Sequence, residues 1–337
     1  MTESFYSRTN SVHIAVESDT TVAHETRSRV RAVSTIRTLA YGMAAATLFL
    51  MALGSATRVM NAGLSCPDWP LCFGQLVPRE QMDLRVFLEW FHRLIATSMG
   101  LFVILLVSLS VWWRRLLPGW VPNMALAALA LVLVQGMLGG LTVTQLLRFD
   151  IVTAHLGTGL LFFSTLLALG ALLTPFQGRG SAGKFAWVAA TATGLVYLQS
   201  LMGGVVASRW ALHLCFGDSQ LCGVMNAHIG GVFPATIATV VLAVMAWHAK
   251  DLHPWLRNLG SVAALLIALQ ISLGVATFKL HLQVEPLTVA HQAVGAMLLG
   301  TLVATSVLAW RDRAAGTSNF DVFTSNLSAT DMAGDRA

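Results

Sequence analysis

Residues 151–174 read IVTAHLGTGLLFFSTLLALGALLT and contain no Asp, Glu, Lys or Arg. About 20 apolar residues in a row cross a bilayer as a helix. Working outward, seven more such stretches occur, near 38–57, 94–113, 119–147, 185–208, 227–248, 259–278 and 287–310. In lipid, a helix gives every backbone N–H and C=O a partner inside its own segment. The expected fold class is all-α: a polytopic membrane protein with eight transmembrane helices.

The rest of the composition agrees. Of 337 residues, 55% are hydrophobic and 11% charged, against about 25% charged in a soluble domain. Mean hydropathy is +0.68. These values exclude a disordered chain, a soluble enzyme and a nucleic-acid-binding domain. The net charge of +5 records orientation, because basic residues collect in cytoplasmic loops. With the N-terminus in the cytoplasm, 14 of the 21 Lys and Arg residues fall on the inner side. Both termini are therefore expected to be cytoplasmic, in a bacterial plasma membrane. Residues 1–37 and 311–337 read as a polar, flexible N-terminal extension and a disordered C-terminal tail. No apolar run before residue 38 suggests a cleaved signal peptide.

Four histidines recur at matched positions on the even-numbered helices. His92 and His155 are 63 residues apart, and so are His228 and His291. TVAHQAVG around His291 echoes VTAHLGTG around His155. LVQGMLGGLTV in the third helix echoes ALQISLGVAT in the seventh. The chain reads as a four-helix unit used twice, 38–174 and 185–310. Four is even, so the two bundle repeats are parallel.

An ionisable side chain inside a membrane span marks function by default. Two imidazoles on facing helices at equal depth can grip an iron porphyrin from both sides. One pair would be His92 with His155, the other His228 with His291. Gly159 and Gly295 each follow a histidine by four residues and share its helix face. A porphyrin plane, or simply helix packing, accounts for them. Zinc would want three or four converging ligands, and a proton relay would want carboxylates that the spans lack.

Glu89 precedes His92 by three residues in EWFHR. It is either an interfacial carboxylate paired with Arg93 or Arg85, or an acid or base beside the porphyrin. Cys66 and Cys72 in CPDWPLC, and Cys215 and Cys222 in CFGDSQLC, fall in outer loops. There each pair can close a loop disulfide. A structural or regulatory bond is expected for Cys215–Cys222; for Cys66–Cys72 a staple and a redox-active dithiol both stay open. Arg58 and Arg209, at outer helix ends, are candidate contacts for porphyrin propionates or topology anchors. His213 and His281 fall in outer loops.

The motifs together resemble haem A synthase. They are NAGLSCPDWPLC (61–72), EWFHRLIAT (89–97), QGMLGGLTV (135–143), TAHLGTG (153–159), NAHIGG (226–231), LQISLGVAT (269–277) and VAHQAVGAMLLG (289–300). The resemblance covers roughly residues 38–310. It implies a membrane oxidoreductase that converts the C8 methyl of haem O to the formyl group of haem A by successive hydroxylations, for cytochrome oxidase assembly. It implies that His228 and His291 hold a resident haem b, that His92 and His155 hold haem O as substrate, and that Glu89 is catalytic. Cys66 and Cys72 match a pair present in some branches of the family. Haem O synthase, the protohaem farnesyltransferase, is the implied upstream partner; beyond it the lipid bilayer and an unidentified electron-transfer partner are expected, and no nucleic acid. Two rivals explain part of the pattern: a dihaem b cytochrome that relays electrons, for example from quinol, and a transporter, which would bind no haem. The cytochrome needs neither Glu89 nor the asymmetry between EWFHR and VMNAHIG.

Overall fold

The fold is described from a computed structural model. It describes the backbone of residues 3–207, 220–280 and 284–334, and the side chains of 24–207, 223–280 and 284–316. Among these residues, eight helices are long and apolar enough to cross a membrane. They are α1 (Glu3–Val59), α2 (Leu84–Trp112), α3 (Val121–Thr144), α4 (Phe149–Leu173), α5 (Phe185–Val206), α6 (Gln220–His248), α7 (Pro254–Lys279) and α8 (Glu285–Gly334).

Two helix starts differ from the apolar runs. The α1 helix reaches back to Glu3, through the stretch read from sequence as a polar extension. The α2 helix starts at Leu84, ten residues before its apolar run. Its first turns carry Arg85, Glu89 and Arg93, which hide it from a hydropathy reading. Glu89 and Arg93 pair at i, i+4, so the two charges are neutralised on the helix face. The Asp83 side chain accepts from Val86 N at 2.8 Å and caps the helix. His92 therefore sits well inside α2.

The packing makes two closed rings. In the first, α1 touches α2, α2 touches α3, α3 touches α4, and α4 returns to α1. In the second, α5, α6, α7 and α8 close the same circuit. The rings meet along α1, α4, α5 and α8. More than half of the apolar window of α4 and of α8 is buried, against under a third in the other six helices. So α4 and α8 form the spine of the seam.

Each ring has its apolar core at one end. In the first, Ile36, Ala40, Leu106, Val121, Leu166 and Leu169 are fully buried. In the second, Ala189, Leu242, Leu256 and Leu302 are. These positions lie away from the histidines. On α2 no residue is buried between Glu89 and Met99. The rings are welded at the far end and carry their polar groups at the histidine end.

The linker between the rings is fastened at the far end. Asp312 on α8 is fully buried. Its carboxylate accepts from Arg179 N (2.7 Å), Ala182 N (2.7 Å) and Ser181 Oγ (3.0 Å). Arg311 donates to the carbonyls of Ala171 (2.7 Å) and Thr174 (2.9 Å), the last turn of α4. A buried carboxylate is tolerated when its lone pairs are filled in this way.

Candidate functional site

The four histidines occupy one repeated position. Each sits on an even-numbered helix and lays its ring on a glycine of the helix before it. A methyl group added at Gly54 would lie 2.9 Å from Cε1 of His92. The same test gives 3.4 Å from Gly139 to His155, 3.0 Å from Gly203 to His228 and 3.0 Å from Gly274 to His291. At Gly54, Gly203 and Gly274 a larger residue would push on the imidazole, whereas at Gly139 an added methyl would only touch it. One turn before each glycine, a backbone carbonyl faces the ring: Leu50 for His92, Gln135 for His155, Gln199 for His228 and Gln270 for His291. The repeat unit is thus a two-helix hairpin used four times, finer than the four-helix unit legible in the sequence.

The rings form two pairs. His92 lies within electrostatic reach of His155, and His291 within reach of His228. Nδ1 of His92, His155 and His291 is buried without a hydrogen bond. Among the described residues no cluster of three or more His, Cys, Asp or Glu is placed to hold a metal ion. In the first pair, two imidazoles with unpartnered Nδ1 atoms suit a metal that brings its other donors with it. An iron porphyrin is such a group, and the donor set fits it.

Three glutamines complete the hairpins. Gln135 Nε2 lies 2.7 Å from where a Cβ at Gly159 would be, and Gln270 Nε2 lies 3.0 Å from that point at Gly295. These two glycines therefore admit amides; the space proposed from sequence for a porphyrin plane is taken. Gln199 fills the corresponding place at Gly231. Its Nε2 lies 3.0 Å from Nδ1 of His228 and donates to the His228 carbonyl at 2.7 Å. Gln270 Nε2 lies 3.4 Å from Nε2 of His291. Gln199 and the glycines under the rings are functional positions that a reading centred on histidines misses. Their signal is the spacing Gln-x3-Gly, present at 135–139, 199–203 and 270–274.

Above the first pair lies the loop after α1. Cys66 and Cys72 are joined by a disulfide. Glu89, buried at 4% exposure, accepts from Cys66 N at 2.8 Å through Oε2. Its Oε1 takes Arg93 Nη2 at 2.6 Å. Arg93 Nη1 donates to the carbonyls of Asp68 (2.7 Å) and Leu71 (2.6 Å). Trp90 Nε1 donates to the Leu76 carbonyl at 2.8 Å. The residues around His92 thus strap the loop to α2. At the loop's tip, the Trp69 ring lies against Gly140, next to the glycine under His155; a Cβ there would meet it at 3.2 Å. Of the two partners read from sequence for Glu89, the structure selects Arg93.

Arg58, at the end of α1, crosses the seam and donates to Gln292 Oε1 at 3.3 Å. Gln292 follows His291 on α8, so Arg58 of the first ring is tied to a helix that carries a histidine of the second pair. Arg209, Cys215, His213 and His281 lie outside the described residues, as does the side chain of Cys222.

Comparison with known proteins follows the same outline. The family model for cytochrome oxidase assembly proteins, COX15-CtaA, matches residues 37–303. A protein named heme A synthase from Shewanella oneidensis is 28% identical over 315 residues, covering 78% of this chain and 93% of its own. Heme A synthase of Paracoccus denitrificans is 28% identical over 326 residues, covering 75% and 82%. That of Bacillus licheniformis is 23% identical over 282 residues, covering 76% and 90%.

Proposed function

The chain belongs to the COX15-CtaA family of cytochrome oxidase assembly proteins, and from that premise we propose how its two histidine pairs divide one task. It is a multi-pass membrane oxidoreductase of haem A biosynthesis, with haem O as its substrate. In our reading His92 and His155, in the ring of residues 38–174, hold haem O. His228 and His291, in the ring of residues 185–310, hold a resident haem b. The stretches 1–37 and 311–337 take no part in the chemistry. When bound, haem b supplies one-electron redox chemistry.

The carrying observation is the fourfold recurrence of one imidazole on one glycine, arranged as two pairs in two closed rings. A plain relay cytochrome accounts for the pairs. It does not account for a buried carboxylate beside one pair only: Glu89 has no acidic counterpart in VMNAHIG before His228.

Conversion of the C8 methyl of haem O to a formyl group proceeds by two hydroxylations and loss of water from the resulting diol. With water as the oxygen source, each hydroxylation takes two electrons and two protons from the reactants, the electrons passing to the unidentified electron-transfer partner. Glu89 accepts one of the protons. Its oxygens each hold one hydrogen bond, and a carboxylate offers about four lone-pair sites in all. Capacity to accept therefore remains while Cys66 N–H and Arg93 hold the group in place. Arg58 pairs with a propionate at the second site, where guanidinium and carboxylate match; Arg209, which follows the fifth apolar run in the sequence, is a second candidate for that role. The protohaem farnesyltransferase delivers the substrate, through the bilayer because the farnesyl tail is apolar. We place the protein in the bacterial plasma membrane with both termini cytoplasmic. That puts the histidine end, and the disulfide, on the oxidising side.

The test is pigment extraction from purified protein co-expressed with a protohaem farnesyltransferase. Wild type yields haem A and retains haem b. His228→Ala loses haem b. His92→Ala loses haem A and keeps haem b. Haem b as the sole pigment of the wild-type protein would overturn the reading in favour of a relay cytochrome. A Glu89→Gln variant with normal haem A output would remove Glu89 from the mechanism.

A further inference from the structure

Where α5 and α8 meet at the far end, one arginine stands between two tryptophans. The Trp187 and Trp310 rings lie 4.8 Å apart, edge to face at 77°. The Arg313 guanidinium sits over both, 5.1 Å from the centre of the Trp310 ring and 5.7 Å from that of Trp187. The ring quadrupole holds a guanidinium in this position, and its planar fork of N–H donors stays open to an anion. Lys184 stands at the start of α5, and its carbonyl accepts from Trp187 N at 3.1 Å. Residues three apart on a helix share a face, so the ammonium belongs to the same corner. Arg179 joins it from the linker, through its backbone N–H on Asp312.

The chemistry of this corner is one-sided. Other cations nearby are engaged: Arg311 with the Ala171 and Thr174 carbonyls, and Arg257 with those of Ala249 and Lys250. Among the described residues, the Arg313 and Arg179 guanidinium groups, the Lys184 ammonium and the indole N–H groups of Trp187 and Trp310 have no hydrogen-bond or ion-pair partner. The adjoining carboxylate, Asp312, is fully buried, with both oxygens bonded to the linker. Cations and donors gathered without an acceptor match an anion that carries several acceptor oxygens.

The setting narrows the anion further. Trp187 is 57% exposed and Trp310 37%, on helices long and apolar enough to cross a membrane. Tryptophans near the ends of such helices lie at the level of the lipid headgroups. A free anion would use the cations and leave the apolar ring bodies bare. A phospholipid uses both.

We propose that Arg313, Lys184, Trp187 and Trp310 form a binding site for an anionic phospholipid. Its phosphate meets the guanidinium and the ammonium, and its upper acyl chains run along the two indoles. Arg179 adds charge from the linker. The bound lipid bridges α5 and α8 beside the segment that Asp312 fastens, so it is part of the same joint.

The test uses the full chain, purified with the haem it retains. Short-chain phosphatidylglycerol or phosphatidylcholine is titrated in, and bound lipid is counted by native mass spectrometry. A basic residue at a membrane surface strengthens anionic-lipid binding about fivefold. Wild type is therefore expected to prefer phosphatidylglycerol by about 25-fold, for two cations. Arg313→Gln and Lys184→Gln each weaken its binding about fivefold, and together they remove the preference. If Arg313→Gln fails to fold, Lys184→Gln carries the same expectation alone. Arg114→Gln with Arg115→Gln removes two exposed cations at the same end of the first ring and leaves binding unchanged. Inorganic phosphate in millimolar excess does not displace the lipid. Equal binding of the two lipids overturns the proposal. So does displacement by inorganic phosphate, which marks a free-anion site, and so does an equal loss in R114Q/R115Q, which marks diffuse surface charge.

Discussion

The two rings anchor their histidines from different directions. In the α5–α8 ring the fixing groups lie inside the bundle: Gln199 and Gln270 reach His228 and His291 from the neighbouring helix. In the α1–α4 ring Gln135 packs inside beside His155 at Gly159, but around His92 the polar groups lie above the bundle: Glu89, Trp90 and Arg93 tie α2 to the loop closed by Cys66 and Cys72. One scaffold therefore anchors its histidine helices in two ways, and on the proposed division of the pairs the first ring is expected to exchange its haem and the second to keep it.

The contrast breaks first at the ligands. His228→Ala is expected to abolish haem retention in the second ring, by more than the ~10–100-fold that loss of an outer-shell partner costs. His92→Ala leaves that haem in place, as difference spectra of the purified proteins will read. Next comes Arg93→Ala. It strands the buried Glu89 carboxylate and removes the donor from the Asp68 and Leu71 carbonyls. Removing one partner of a buried pair costs about 3–5 kcal/mol. Rapid proteolysis near residues 60–83 and a lowered Tm, with the second haem undisturbed, are the expected signs.

The glycines separate function from propensity. Gly203→Ala and Gly274→Ala push on His228 and His291 and should loosen haem binding. Gly100 lies on α2 with nothing within 4 Å of an added Cβ. Gly100→Ala should instead raise stability by about 0.5–1 kcal/mol through helix propensity, with spectra unchanged. Equal effects at Gly100 and Gly274 would remove the special standing of the glycines under the rings.

The smallest effect concerns pH. Asp68 in the loop accepts from Gly74 N and Phe73 N. These amides, Gly74 first, hold its carboxyl below the usual carboxylate range, with Arg93 adding a little. The folded form thus favours the ionised group. That contribution is complete above the ordinary carboxylate value near 3.8 and is lost as pH falls through the depressed one. Protease sensitivity of the loop should rise on acidification in wild type, and Asp68→Asn should flatten the response.

Much of the architecture is legible in the chain. Eight apolar runs and two histidine pairs with the same 63-residue spacing announce the helices and the pairs, because lipid leaves the backbone few alternatives. What sits beneath each histidine is harder to read. Gly54 precedes His92 by 38 residues, while Gly139 precedes His155 by 16. The register of each hairpin depends on loops of unequal length, so no fixed spacing exposes it. The start of α2 is masked by charges that cancel only once the helix has formed. Gly159 and Gly295 show the limit most clearly: their smallness is visible in sequence, but which group fills the space, Gln135 or Gln270, is settled by a neighbouring helix.

The fastening of the linker by Asp312 also sets a schedule. The first four helices are complete at Leu173, but the acceptor for Ala182 N lies 130 residues further along. Ribosomes add about 5–20 residues per second, so those amides stay hydrated for roughly ten seconds. The halves thus meet first along α4 and α5, and the seam closes last, when α8 packs against α1 and α4.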